Sequence, residues 1–265
     1  MQMPLRLYPL LPAMGLLFTL GMGKAKSETE ATTPVTTLAP PLDHSTAAKP
    51  RVGHVATLSV GDLVEFSSVP QPVQKLLAAG LELTRENLYY KYGSDDPSAG
   101  GMDCSGTVYH LLQQAGLSDA PRDSSELYTW VWNQSRFQAV VSPNPNTFEL
   151  KRLKPGDLLF WTGTYHVDRD PPVTHVMIYL GTNRLTGKRV MVGASEGRTF
   201  NQKPYDGVSV FDFMLPSQSS RHSDGSNSSI SLGESRFIGY GSIPGLEATG
   251  TRAGTSAAPG LKGSL

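Results

Sequence analysis

The hydrophobic pattern of this chain changes period once, at Lys154-Pro155-Gly156-Asp157, and that change limits the architectures open to it. Upstream, apolar residues recur at helical spacing. In PVQKLLAAGLELTREN (72–87), Val73, Leu76, Leu77, Leu81 and Leu83 lie near one stripe behind a leading proline. Between Thr107 and Gly116, Val108, Leu111, Leu112 and Ala115 fall at i, i+3, i+4 and i+7, and Gly116 supplies the stop. SSELYTWVWNQ (124–134) is a weaker third helix. Downstream of the Lys-Pro-Gly-Asp turn come LLFW, HVMIYLG, RVMVGAS, VSVFDF and RFIGYGSI, short β-branched and aromatic runs separated by turn residues. Helices first and strands later predict an α+β domain, its N-terminal helices packed on a C-terminal antiparallel sheet.

Several segments stand outside that pattern. Residues 1–25 read as an export signal: Arg6, an apolar stretch from Leu7 to Met22, then Gly23 and Ala25 as a cleavage pair. Pro9 and Pro12 interrupt the stretch, and it falls short of the ~18 unbroken apolar residues a membrane span needs. No cysteine follows it, so it carries no lipid attachment site and no membrane anchor is expected after cleavage. Residues 26–50, rich in Thr, Pro and Ala without a hydrophobic period, read as a disordered linker, and 245–265 as a disordered tail. A serine-rich run, 217–235, reads as a polar surface loop within a folded domain spanning 51–244.

Charge and cysteine content remove whole classes of function. Lys+Arg and Asp+Glu each number 23, so no net charge draws the chain to nucleic acid or anionic lipid. One cysteine allows neither an intramolecular disulfide framework nor a cysteine-rich zinc site. No metal-binding or phosphate-loop motif appears, and no cofactor is expected.

That single cysteine, Cys104, sits in GGMDCSG where a glycine-rich loop turns into the second helix. A sulfur there lies near unpaired N–H groups and the positive end of the helix dipole, which favour thiolate and could also stabilise an oxyanion. Asp103 is placed to cap the helix. A base must come from elsewhere. His44 and His54 lie in or beside the linker, His222 in the serine-rich run and His166 in a loop, while His110 falls on the far side of the cysteine's own helix. His175 opens the strand THVMIYLG, with Met177 and Tyr179 on its face.

Taken in order, YKYG, GGMDCSGTVYHLLQQAGL, APRDSS, LKPGDLLFW and THVMIYLG resemble the NlpC-type cell-wall cysteine peptidases, across about residues 72–213. The resemblance implies a papain-like fold and hydrolysis of peptidoglycan stem peptides, with Cys104 as nucleophile and His175 as general base. It implies that Tyr90 lies beside the nucleophile and that Asp103 and Ser105 help hold the free amino end of a stem peptide. It makes Arg122 a weaker candidate for a substrate contact. The family's third catalytic position falls on Gly193, which has no side chain, leaving Ser195, Glu196, a carbonyl or water to orient His175. The reaction implied is cleavage beside the γ-linked D-glutamate by an exported, periplasmic or secreted, enzyme. An amidase or acyltransferase of the same fold, or a catalytically silent wall-binding domain, are the alternatives.

Overall fold

A computed structural model describes residues 53–215 and 235–246. The export signal, the linker, residues 217–234 of the polar run and 247–265 of the tail lie outside the described residues. Within them, α1 (Gln71–Leu83), α2 (Cys104–Gln114) and α3 (Ser124–Asn133) precede the long strands, as the change of period predicts. Two short strands, β1 (Tyr89–Tyr90) and β2 (Gly101–Met102), pair in parallel between the first two helices. Then come β3 (Phe137–Ala139), β4 (Leu158–Thr162), β5 (Val173–Thr182), β6 (Arg189–Phe200), β7 (Lys203–Asp212) and β8 (Arg236–Gly241). These six form one antiparallel sheet in the order β3-β8-β4-β5-β6-β7. The result is the α+β, papain-like arrangement of helices on a multi-stranded sheet.

The helices reach the sheet through their predicted stripes. Leu76, Leu77 and Leu81 of α1 and Val108, Leu111 and Leu112 of α2 share a buried cluster with Val176, Ile178 and Leu180 of β5. Each such leucine is worth about 1.5–3 kcal/mol of burial, so α2 is firmly seated and its first residue has a defined position. The turn before β4 ties in as well. Gly156 has φ +94°, and a Cβ there would lie 2.7 Å from Cγ1 of Val73 on α1. The Asp157 carboxylate accepts the Lys154 N–H at 2.8 Å.

β5 is buried from Val173 to Gly181, so both of its faces are covered. Its second face carries Met177 and Tyr179 into another cluster with Leu159, Trp161, Met191, Phe211 and Phe213. Leu246, inside the segment read as tail, is also buried against the helix-side core.

The sheet is irregular at one end of β5. β5 pairs with β6 only from Ile178↔Val192 to Thr182↔Arg189, whereas β4 stays paired with β5 down to Val173. Beyond Val192, β6 pairs with β7 alone. The strands therefore part at the start of β5, and the N-terminus of α2 meets the sheet at that opening.

Candidate active site

The start of α2 is fixed by Asp103. Its Oδ1 accepts the Gly106 N–H at 2.6 Å, closing the helix cap, and its Oδ2 accepts the Gly93 N–H at 2.7 Å. Position 106 must be glycine, because a Cβ there would stand 2.1 Å from the Ser94 carbonyl oxygen. Arg122 completes the network. Its Nη2 donates to Asp103 Oδ2 at 3.0 Å, its Nη1 to Ser105 Oγ at 2.8 Å and its Nε to Asp95 Oδ2 at 2.9 Å. Burial lowers the Arg122 pKa, but the Asp103 and Asp95 carboxylates outweigh that and hold it above its ordinary value. Asp103, Ser105 and Arg122 thus form one tied cluster beneath the helix start.

Cys104, only 5 % exposed, points its sulfur at the open edge of β5. Sγ lies 4.0 Å from the Thr174 carbonyl oxygen, and the Val176 N–H is directed at it from the other side of His175. The thiol therefore contacts the main chain on both flanks of His175. A helix N-terminus by itself would lower the thiol pKa. Here burial, followed by the Asp103 carboxylate, pushes it up to about 11, although the N–H groups of Val176, Ser105 and Cys104 pull the other way. The free thiol is protonated at neutral pH, contrary to the ready ionisation expected from its helix position alone.

His175, also 5 % exposed, turns its ring toward Trp161 of β4, with centroids 5.6 Å apart and edge to face. Burial, then the charge of Arg198, holds its pKa well below the ordinary imidazole value. The ring is neutral, the form a base requires. Among the described residues nothing hydrogen-bonds its buried Nε2.

Tyr90 on β1 borders the same place. Its phenol is raised above its usual range by burial and then by the nearby charges of Cys104 and Asp103. The loop between β4 and β5 adds Tyr165, raised first by burial and in part by Cys104, which meets the 76 % exposed Tyr92 edge to face at 6.4 Å. Arg169 anchors that loop to Asp123 at 2.9 Å and to the Val173 carbonyl. The other described histidines go elsewhere: His54 stacks on Tyr205 at 4.8 Å, His110 pairs with Gln114 at 2.9 Å, and His166 is exposed in its loop.

At the third position the structure brings neither side-chain alternative read in the sequence into a hydrogen bond with His175. A Cβ on Gly193 would come within 3.0 Å of Met177 Cγ, so Met177 already fills that space. Ser195 is buried without a bond to His175, and Glu196 is exposed. The residue that does bear on His175 is Arg198, whose guanidinium carbon sits 4.6 Å from the Trp161 ring centroid. Strict alternation along β6 puts residue 198 on the face opposite 193 and 195. The structure has a bulge instead: Ser195 pairs with Gly207 and Arg198 with Tyr205, three steps on β6 against two on β7. The extra residue restores Arg198 to the face of Met191 and Gly193. Gly197, with φ +74°, was the available signal, since an isolated glycine inside a strand marks such a bulge.

Residues 87–211, which include Tyr90, Cys104, Arg122, His175 and Arg198, match the NlpC/P60 family. No curated protein matches the chain.

Proposed function

Residues 87–211 form a domain of the NlpC/P60 family of peptidoglycan-related hydrolases, and from that premise we propose a cysteine peptidase that cuts peptidoglycan stem peptides beside the γ-linked D-glutamate. One observation carries this reading: the Cys104 sulfur, at the N-terminus of a helix, is seated against the main chain on both sides of His175. As the sulfur attacks the scissile carbonyl, neutral His175 takes the thiol proton. The carbonyl oxygen becomes an oxyanion within reach of the N–H groups that begin α2. The imidazolium then gives its proton to the leaving amine as the C–N bond breaks. Water adds to the remaining thioester, His175 accepts its proton, and the acid and free thiol are released. We place this reaction outside the cytoplasmic membrane, on the strength of the apolar stretch Leu7–Met22.

Met177 occupying the space above Gly193 favours one other reading, a wall-binding domain without turnover. Digestion of purified muropeptides by wild type and Cys104→Ala, followed by mass spectrometry, separates the two. Wild type is expected to release fragments cut at the γ-glutamyl bond and Cys104→Ala none. Intact muropeptides with wild type, together with retained binding to sacculi, would leave the binding reading in its place.

A further inference from the structure

Arg198 is a cation held beside the Trp161 ring. Among the described residues no carboxylate lies within ion-pair distance of it. It is held against Trp161, the residue facing His175 across the β4–β5 ladder. Holding an unpaired guanidinium in a partly buried site is costly, and the β6 bulge exists at the point that aims it there. Two groups without a charge partner stand in the same site. One is the buried Nε2 of His175, which has no hydrogen-bond partner among the described residues. The other is the Cys104 sulfur, whose charge acts on Arg198.

We propose that Arg198 is the positioning residue of this site: it supplies the fixed counter-charge for the Cys104 thiolate and keeps His175 in its neutral form, in place of a polar side chain at position 193. This rests on the hydrolase reading above and adds a residue to it. The electrostatic logic is one of sign. A fixed cation favours the anion that forms at sulfur and disfavours a second cation on the imidazole. Around the thiol stand Asp103 at the N-cap of α2, Tyr90 from β1, Tyr165 from the β4–β5 loop and, next to the Thr174 carbonyl that the sulfur touches, His175 from β5. Arg198 from β6 stands among them as the permanent cation. Burial brings its pKa down to about 10, which leaves it charged at neutral pH. The Trp161 face takes up part of the desolvated charge and sets where the guanidinium can stand.

The alkylation and NMR readouts need no substrate, so they are independent of whether the protein cleaves stem peptides. The rate of iodoacetamide alkylation of Cys104 is followed from pH 6 to 10 in wild type, Arg198→Gln and Arg198→Lys, with a thermal melt of each to establish folding. Removing the cation is expected to slow alkylation at pH 8 by about tenfold, the effect of one unit in thiol pKa. The lysine variant is expected to recover most of the rate. In a Cys104→Ala background, Arg198→Gln should move the NMR titration of His175 toward higher pH. Alkylation within twofold of wild type in a folded Arg198→Gln protein overturns the proposal. So does a raised KM at unchanged kcat with alkylation unmoved, which would make Arg198 a contact for a substrate carboxylate. If alkylation follows the charge at 198 while wild type digests no muropeptide, the function proposed above fails and the coupling of Arg198 to the thiol stands.

Discussion

Replacing Asp103 separates two jobs that its carboxylate performs at once. Oδ1 caps α2 through the Gly106 N–H, and Oδ2 pairs with Arg122 while accepting the Gly93 N–H. Asparagine keeps a cap acceptor but loses the charge, while alanine loses both. A lost cap costs about 1 kcal/mol. Losing the charge-assisted bond from Arg122 costs about 2 kcal/mol, at the lower end because the arginine side chain is 30 % exposed. Asp103→Asn should therefore destabilise by about 2 kcal/mol and Asp103→Ala by about 3 kcal/mol, both within the usual reserve of a domain of about 5–15 kcal/mol. Urea unfolding with unchanged slope measures both. The same carboxylate raises the Cys104 pKa, so the asparagine variant should alkylate faster than wild type at pH 8 even though it is less stable. Equal stabilities for the two variants would refute the capping role, and slower alkylation in Asp103→Asn would refute the electrostatic one.

Two more outcomes concern buried groups. Burial lifts the Asp157 carboxyl from its ordinary value of 3.8 to about 7, and a carboxyl raised on folding takes up its proton more readily in the folded chain. Stability should fall as pH rises between about 4 and 7 and level off above. Asp157→Asn, which keeps an acceptor for the Lys154 N–H, should remove most of that decline and stabilise the protein at pH 8 by about 2–4 kcal/mol; parallel urea curves at pH 5 and pH 8 test this. At the third position, Gly193→His alone should lower the melting temperature because its Cβ meets Met177. The pair Gly193→His with Met177→Ala should regain that stability, and an equally low melting temperature in the double variant would mean that Met177 is not the obstacle.

What could be read from the sequence was what is local along the chain. Asp103, Cys104, Ser105 and the helix they open lie within a few residues, so capping and periodicity place them together. The turn before β4 and the helix-side stripe were legible for the same reason. The second face of the sheet was not. In β5, Met177 and Tyr179 alternate with Val176 and Ile178, and when both sets are apolar a period of two cannot show which face meets solvent. Arg198 was hidden by a different effect. One inserted residue at the β6 bulge reverses the parity of everything after it, and a reading that counts by twos assigns the arginine to the wrong side. Gly193 drew attention because it lacks a side chain; the close approach of Met177 to that position is a contact between strands that no local pattern reveals.

The two shifts at the reacting centre have a joint consequence. A thiol near 11 is about one part in ten thousand ionised at pH 7, so forming the thiolate alone costs about 5 kcal/mol. Because the imidazole pKa is depressed as well, passing the proton to His175 is uphill on both sides. Both directions of shift favour a neutral thiol–imidazole couple over a thiolate–imidazolium pair in the free protein. Under the proposed mechanism the neutral couple is the resting form, and charge would separate only as the sulfur reaches a carbonyl and the oxyanion meets the N–H groups of α2. On that view the burial that raises the thiol is compatible with catalysis. In the proposed reaction, burial would hold back the sulfur until a bound peptide completes the electrostatics, and the same low dielectric that penalises the thiolate would strengthen every N–H aimed at the intermediate.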